Sequence, residues 1–154
     1  MSKMVAAYAK DESVRLQSSS GGIFTVLAER VLDDGGGVVG VAQTAPTRFG
    51  SGKSVSVHHG RSKYMRLFLS RICQNDSCAE CRYRKLPRIA DITLGDYWGI
   101  SKYHPEMNDN KGTSVVLLNT EHGKALFESV ADKVFQCDSK VEYAPLPVTF
   151  EADV

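Results

Sequence analysis

Three of the chain's four cysteines lie close together, in the run Cys73-Gln-Asn-Asp-Ser-Cys78-Ala-Glu-Cys81. A C-x2-C turn sets two thiolates on one side of a tight loop, and both zinc and iron–sulfur centres are held in that way. The full spacing, C-x4-C-x2-C, is also that of three of the four ligands in a plant-type ferredoxin. The bland alternative is three unliganded thiols, one or two of them buried as small apolar side chains. Spacing does not choose the metal. A zinc site would need a fourth donor, for which Cys137, His58, His59 and His104 are remote candidates. Cys137, in Val134-Phe135-Gln136-Cys137, reads as an ordinary strand residue.

A second feature is Ser18-Ser19-Ser20-Gly21-Gly22, which runs into a helical pattern. Unpaired N–H groups and the helix dipole favour an anion at such a junction, and glycine lets a phosphate approach the backbone. The loop is neither GxGxxG nor a P-loop, and its ordinary explanation is a good helix cap. A third is Gly95-Asp96-Tyr97-Trp98-Gly99, which contains the only tryptophan. A turn of this kind at a strand end can present Asp96 and a ring to a planar ligand, or it can plug the core with aromatics. Arg82, Arg84, Lys85 and Arg88 form a basic patch just after Cys81 and read as a solvated face. No nucleophile–base motif such as G-x-S-x-G or H-E-x-x-H is present.

The chain that must position these residues has 154 residues, with Lys plus Arg 19 and Asp plus Glu 18, a formal charge of +1. That near-neutral balance gives no electrostatic case for nucleic acid or acidic membranes. A hydrophobic content of 42% suffices for a packed core. No apolar run reaches the ~18 residues of a membrane span, and Lys10, Asp11 and Glu12 interrupt any signal-peptide core. The expectation is a cytoplasmic protein, whose thiols are then free, metal-bound or redox-active.

Met4 to Ala9 reads as a strand. Ile23, Phe24, Leu27, Val31 and Leu32 recur at helical spacing, with a serine at 18 to 20 as the cap and Gly35-Gly36-Gly37 as the stop. Residues 38–42 and the alternating Val55 and Val57 read as strands, completing a βαβ-like unit. Residues 62–72 have a helical apolar face, and Ile89 to Leu94 form a strand leading into the Gly-Asp-Tyr-Trp-Gly turn. Residues 104–112 make a polar loop. Ser114 to Asn119 make a strand, and Thr120 opens a helix bearing Leu126, Phe127 and Val130. A further strand near Val134 precedes an irregular tail. The expected class is α+β or α/β, a small mixed sheet with two to three helices and a cysteine-rich loop insertion. The expected organisation is an N-terminal segment 1–64 and a region 65–154 within one compact domain.

In order along the chain, these motifs resemble the coenzyme F-420 hydrogenase/dehydrogenase beta-subunit family. The resemblance rests on Ser18 to Phe24, on Gly35 to Ala42, and on Gly60-Arg61-Ser62-Lys63-Tyr64. It continues through Cys78-x-x-Cys81, Arg88 to Ile100 and Lys111 to Gly123. Its most specific part is Ala90-Asp91-Ile92-Thr93-Leu94-Gly95-Asp96-Tyr97-Trp98-Gly99. Members carry a long middle segment between the Gly-Ser-Lys-Tyr step and the C-x2-C. Here Tyr64 runs through Met65 and Arg66 almost at once into Leu67-Phe68-Leu69, so the family's central segment is expected to be missing.

The resemblance implies an iron–sulfur flavoprotein that passes electrons among a 4Fe–4S cluster, FAD or FMN, and coenzyme F-420. Ser19, Ser20, Gly21, Gly22, Asp96 and Trp98 would then contact the flavin-type cofactor, and Cys73, Cys78 and Cys81 would be cluster ligands. The partner would be a redox protein or a small-molecule electron carrier, and an oligomer is compatible with this reading. Two rivals stay open: a non-enzymatic module stapled by zinc or a cluster, and a degenerate remnant that serves only in interactions.

Overall fold

A computed structural model describes residues 2–39, 77, 83, 86 and 88–143. The chain divides into two units, one made of Met1–Val38 with Tyr83–Val154, the other of Val39–Arg82. The expected strands at 40–42 and 55–57 and the helix at 62–72 lie outside the described residues. Val38 and Val39, expected to begin a strand, are irregular.

The first unit is built on four strands, β1 (Lys3–Ala9), β2 (Ile92–Asp96), β3 (Ser114–Leu118) and β4 (Val134–Ser139). Their order across the sheet is β2-β3-β1-β4. Every neighbouring pair is antiparallel, with Val5 opposite Val116 and Asp138, and Leu94 also opposite Val116. Among the described residues the sheet is therefore antiparallel rather than mixed, and the class is α+β. The two central strands are apolar at nearly every position because both faces are covered, as a two-sided sheet requires.

On one face α2 (Ile23–Asp33) and α4 (Glu121–Glu128) pack Ile23, Val26, Leu27 and Phe127 against Val5, Ala7, Val116 and Leu118. On the other face Tyr97 and Met107 cover Met4, Ala6, Val115 and Leu117. That second layer comes from α3 (Ile100–Tyr103), a 3-10 turn at Pro105–Met107 and a last 3-10 turn at Val141–Tyr143.

Two local devices differ from expectation. The polar stretch after β1 holds a short helix, α1 (Glu12–Gln17), capped by the Asp11 carboxylate, which accepts from the Ser13 and Val14 N–H groups at 2.8 and 3.3 Å. The cap of α2 is Gly22, left-handed at φ 79° and without a side-chain bond, rather than a serine. The serines are occupied elsewhere, as described below. The expected glycine stop holds: α2 ends at Asp33, and Gly35 takes φ 77°.

Candidate functional site

The serine–glycine loop reaches the sheet because Gly21 has no side chain. A Cβ there would lie 2.6 Å from the Ala7 carbonyl oxygen and 2.8 Å from the Ser114 nitrogen. Without it, the Gly21 carbonyl accepts from Ala9 N–H at 2.7 Å and the Gly21 N–H donates to Ser114 Oγ at 3.0 Å. Ser114 Oγ donates in turn to Ser20 Oγ at 3.2 Å, and Ser20 Oγ donates to the Thr113 carbonyl at 3.2 Å. The Ser18 hydroxyl donates to the Val14 carbonyl at 2.7 Å. Two of the three serines thus fix the loop, and Ser19, which is exposed, is left at its apex.

The tethered loop forms one wall of a pocket of about 380 Å³. Ser18, Ser19, Ser20, Gly22 and the first residues of α2 (Ile23, Phe24 and Thr25) line that wall. Leu94, Gly95 and Asp96 of β2 and Ser114 of β3 complete the lining, with Ser114 bonded to the loop. The volume falls within the roughly 300–1,000 Å³ of small-molecule sites. The first N–H groups of a helix have no partner within it, and Gly22 supplies no capping side chain, so α2 points bare donors and the positive end of its dipole at this wall. Asp96 ends β2 on the other side and adds a carboxylate acceptor. The pocket can therefore take a ligand with an anionic group towards α2 and hydroxyl or N–H donors towards Asp96.

Ser19, Ser20, Gly22 and Asp96, expected from sequence to contact a cofactor, are brought together here, although they come from segments more than seventy positions apart. Gly21 lies behind the wall as a packing residue. The aromatic turn divides its labour. Tyr97 is buried in the core and donates to or accepts from Ser139 Oγ at 2.5 Å, whereas Trp98 is 51% exposed and is not among the lining residues. Burial pushes the Tyr97 hydroxyl above its ordinary pKa, against the bond to Ser139. Gln17 and Thr25 line the pocket although nothing in their local pattern marks them, and Phe24 and Ser114, expected only as helix and strand residues, line it too.

Cys73, Cys78 and Cys81 lie outside the described residues, as do His58, His59, Arg82, Arg84 and Lys85. Cys137 is on β4, as expected, with its thiol pushed up first by burial and then by the charges of Glu106 and Asp138. A raised thiol pKa is the opposite of what activates a nucleophile.

A four-stranded antiparallel sheet covered on both faces, with a pocket between the serine–glycine loop and β2, defines a small α+β protein. Over residues 26–142 the chain matches the family described as the C terminus of the beta subunit of coenzyme F-420 hydrogenase/dehydrogenase. It belongs to that family. The matched range starts within α2 and includes β2, β3, α4 and β4 together with the cysteine run. Comparison with curated proteins and with solved structures gives no match in either. Among the described residues no helix is long and apolar enough to cross a membrane.

Proposed function

We propose that the chain is a shortened relative of the beta subunit, an oxidoreductase-type electron carrier of the iron–sulfur flavoprotein kind. The supporting observation is the convergence of Ser19, Ser20, Gly22 and Asp96 on one pocket in a chain of this family. A flavin-type cofactor, FAD, FMN or coenzyme F-420, fits the donor set. Its phosphate would face the N-terminus of α2 and the Ser19 hydroxyl, and its ribityl hydroxyls or ring N–H would face Asp96. Such a cofactor supplies hydride and single-electron chemistry, and the protein's part is to bind and orient it. Phe24, 63% exposed at the pocket, adds an apolar surface for a planar ring. Cys73, Cys78 and Cys81 would provide three thiolate ligands of a 4Fe–4S cluster. The electron partner would be a redox protein or a small soluble carrier in the cytoplasm.

The test is purification without oxygen, followed by iron, sulfide and flavin analysis and a visible spectrum. The reading expects Cys78→Ser to lose iron and keep flavin, and Asp96→Ala to lose flavin and keep iron. Protein that stays colourless, free of both iron and flavin, after reconstitution overturns it. Zinc that is lost in Cys78→Ser, with no flavin bound, would favour the stapled module instead.

A further inference from the structure

On the sheet face away from α2 and α4, three metal-ligating side chains meet. His104 is the residue that ends α3, Glu106 sits two positions on in the Pro105–Met107 turn, and Cys137 comes from the middle of β4. His104 Nδ1 lies 3.5 Å from Cys137 Sγ and 3.4 Å from Glu106 Oε1. The three donor atoms all fall within 4.8 Å of one another.

The His104–Cys137 and His104–Glu106 separations are those of ligands around one small cation. Zinc bonds of about 2.3 Å to sulfur and about 2.0–2.2 Å to nitrogen and oxygen, set at a tetrahedral angle, place S and N about 3.5 Å apart and N and O about 3.4 Å apart. One of the two imidazole tautomers leaves the ring ready for an ion. His104 Nε2 is 2.9 Å from Ser139 Oγ, which is itself bonded to the Tyr97 hydroxyl at 2.5 Å. With Nε2–H donating to Ser139, Nδ1 is an acceptor. The Glu106 carboxylate is another, and one S–H is then shared between two acceptors. A cation satisfies all three at once and takes the place of the thiol proton. The Ser139–Tyr97 pair fixes the imidazole from behind, the outer-shell support that metal-bound histidines use.

We infer that His104 Nδ1, Glu106 and Cys137 bind one divalent ion of zinc's class, with a fourth position left for water or an outside donor. Mixed nitrogen, sulfur and oxygen ligation suits zinc and disfavours calcium and magnesium, which prefer all-oxygen shells. Glu106 is 63% exposed at its side chain, so the ion has a path in from solvent. The ion would reinforce the link between the 104–107 turn and β4, which His104 already makes through Ser139. This inference does not rest on the flavin reading, because its ligands are separate from the pocket and from Cys73, Cys78 and Cys81.

The test is zinc titration of the full chain against a chelating indicator, paired with 113Cd NMR. The site expects Cys137→Ala to bind one ion fewer than the unaltered chain and to lose one cadmium resonance. Glu106→Gln, an exposed and fold-neutral change, should weaken that ion at least about tenfold, and Ser139→Ala about 10–100-fold through the imidazole. Ions held by the cysteine run would be unaffected by Glu106→Gln, which separates this outcome from that of the proposed cluster. An affinity unchanged in Glu106→Gln, or no zinc bound by the unaltered chain, overturns the site whatever Cys137→Ala does.

Discussion

The Arg15 guanidinium grips the Asp109 carboxylate with both arms, at 2.6 Å each, across ninety-four positions of sequence. The same guanidinium donates twice to the Gly112 carbonyl, at 2.9 and 2.6 Å, and lies 3.7 Å from the centre of the Tyr8 ring. Arg15 is 4% exposed. One charged side chain thus binds α1, β1 and the loop before β3. Gly112, whose backbone passes against Ser20, brings the pocket wall into the same assembly. Arg15→Ala should cost about 2–4 kcal/mol, at or below the usual range for a broken buried pair because Asp109 is half-exposed. Urea denaturation measures it. Arg15→Lys should recover little, because an ammonium cannot form the fork.

The same pair predicts a pH dependence. Burial raises the Asp109 pKa, but the Arg15 bonds, the Lys111 N–H and the Arg15 charge outweigh it and hold the carboxyl below its usual value. The unfolded chain therefore binds the proton more readily. The pair's stability is fully present above pH ~4, the ordinary aspartate range, and is lost as pH falls through the lower folded value. In Asp109→Asn the acid limb of a stability–pH curve should be shallower than in the unaltered chain.

Gly21 and Gly22 are adjacent yet should respond to substitution for different reasons. Gly21→Ala drives a methyl into the backbone of β1 and β3, where nothing can yield, and should cost about 3 kcal/mol or more. Gly22→Ala forces a left-handed backbone and presses its methyl to 3.2 Å from Ala9 Cβ and 3.3 Å from Val14 Cγ1, side chains that can shift a little, for about 1–2 kcal/mol. Gly37→Ala, with nothing within 4 Å of its Cβ, should fall within about 0.5 kcal/mol of the unaltered chain. Thermal melts of the three variants rank them.

Ser114 is 4% exposed and stands between the Gly21 N–H and the Ser20 hydroxyl. Ser114→Ala leaves the buried Gly21 N–H without its acceptor, for about 1–3 kcal/mol. It also frees the pocket's serine wall. Hydrogen exchange at Ser20 and Gly21 should accelerate more than exchange in α4, which Ser114 does not touch.

Thr120 caps α4, accepting from Gly123 N–H at 3.1 Å while its hydroxyl donates to Asp91. Thr120→Val keeps the shape, removes both bonds and should cost about 1 kcal/mol. It should also release the Asp91 carboxyl, which Thr120 first and His122 second hold below its usual pKa. Titration of Asp91 by NMR would move up in the variant.

Much of this was visible in the residue pattern. The apolar runs at 4–9 and 114–118 are strands and Thr120 opens a helix, whereas the meeting of the serine–glycine and Gly95–Asp96 segments is implied only by the family resemblance. In the strands and the helix, side-chain type and local spacing agree with the tertiary contact. What escaped was set by distance or by charge. The α1 helix has no apolar stripe; Leu16 is 65% exposed and the buried residue is Arg15, so periodicity is silent there. The Asp11-Glu12 opening, a cap followed by an acidic first turn, is the signal that would have found it. The serines looked like caps because they precede a helix, but a left-handed Gly22 intervenes and turns them back to β3. The meeting of His104 with Cys137 depends on how β4 lies beside β1, which no local window contains. The choice of α+β over α/β likewise rests on strand direction, which hydropathy does not encode.

The position of β1 governs the order in which the molecule can assemble. It is the first of the described elements, yet its two neighbours are residues 114–118 and 134–139. On the ribosome this apolar ribbon emerges with nothing to pair against and must wait, unsheltered, until those later segments have been synthesised. A folding rate limited by these distant pairings follows from the topology.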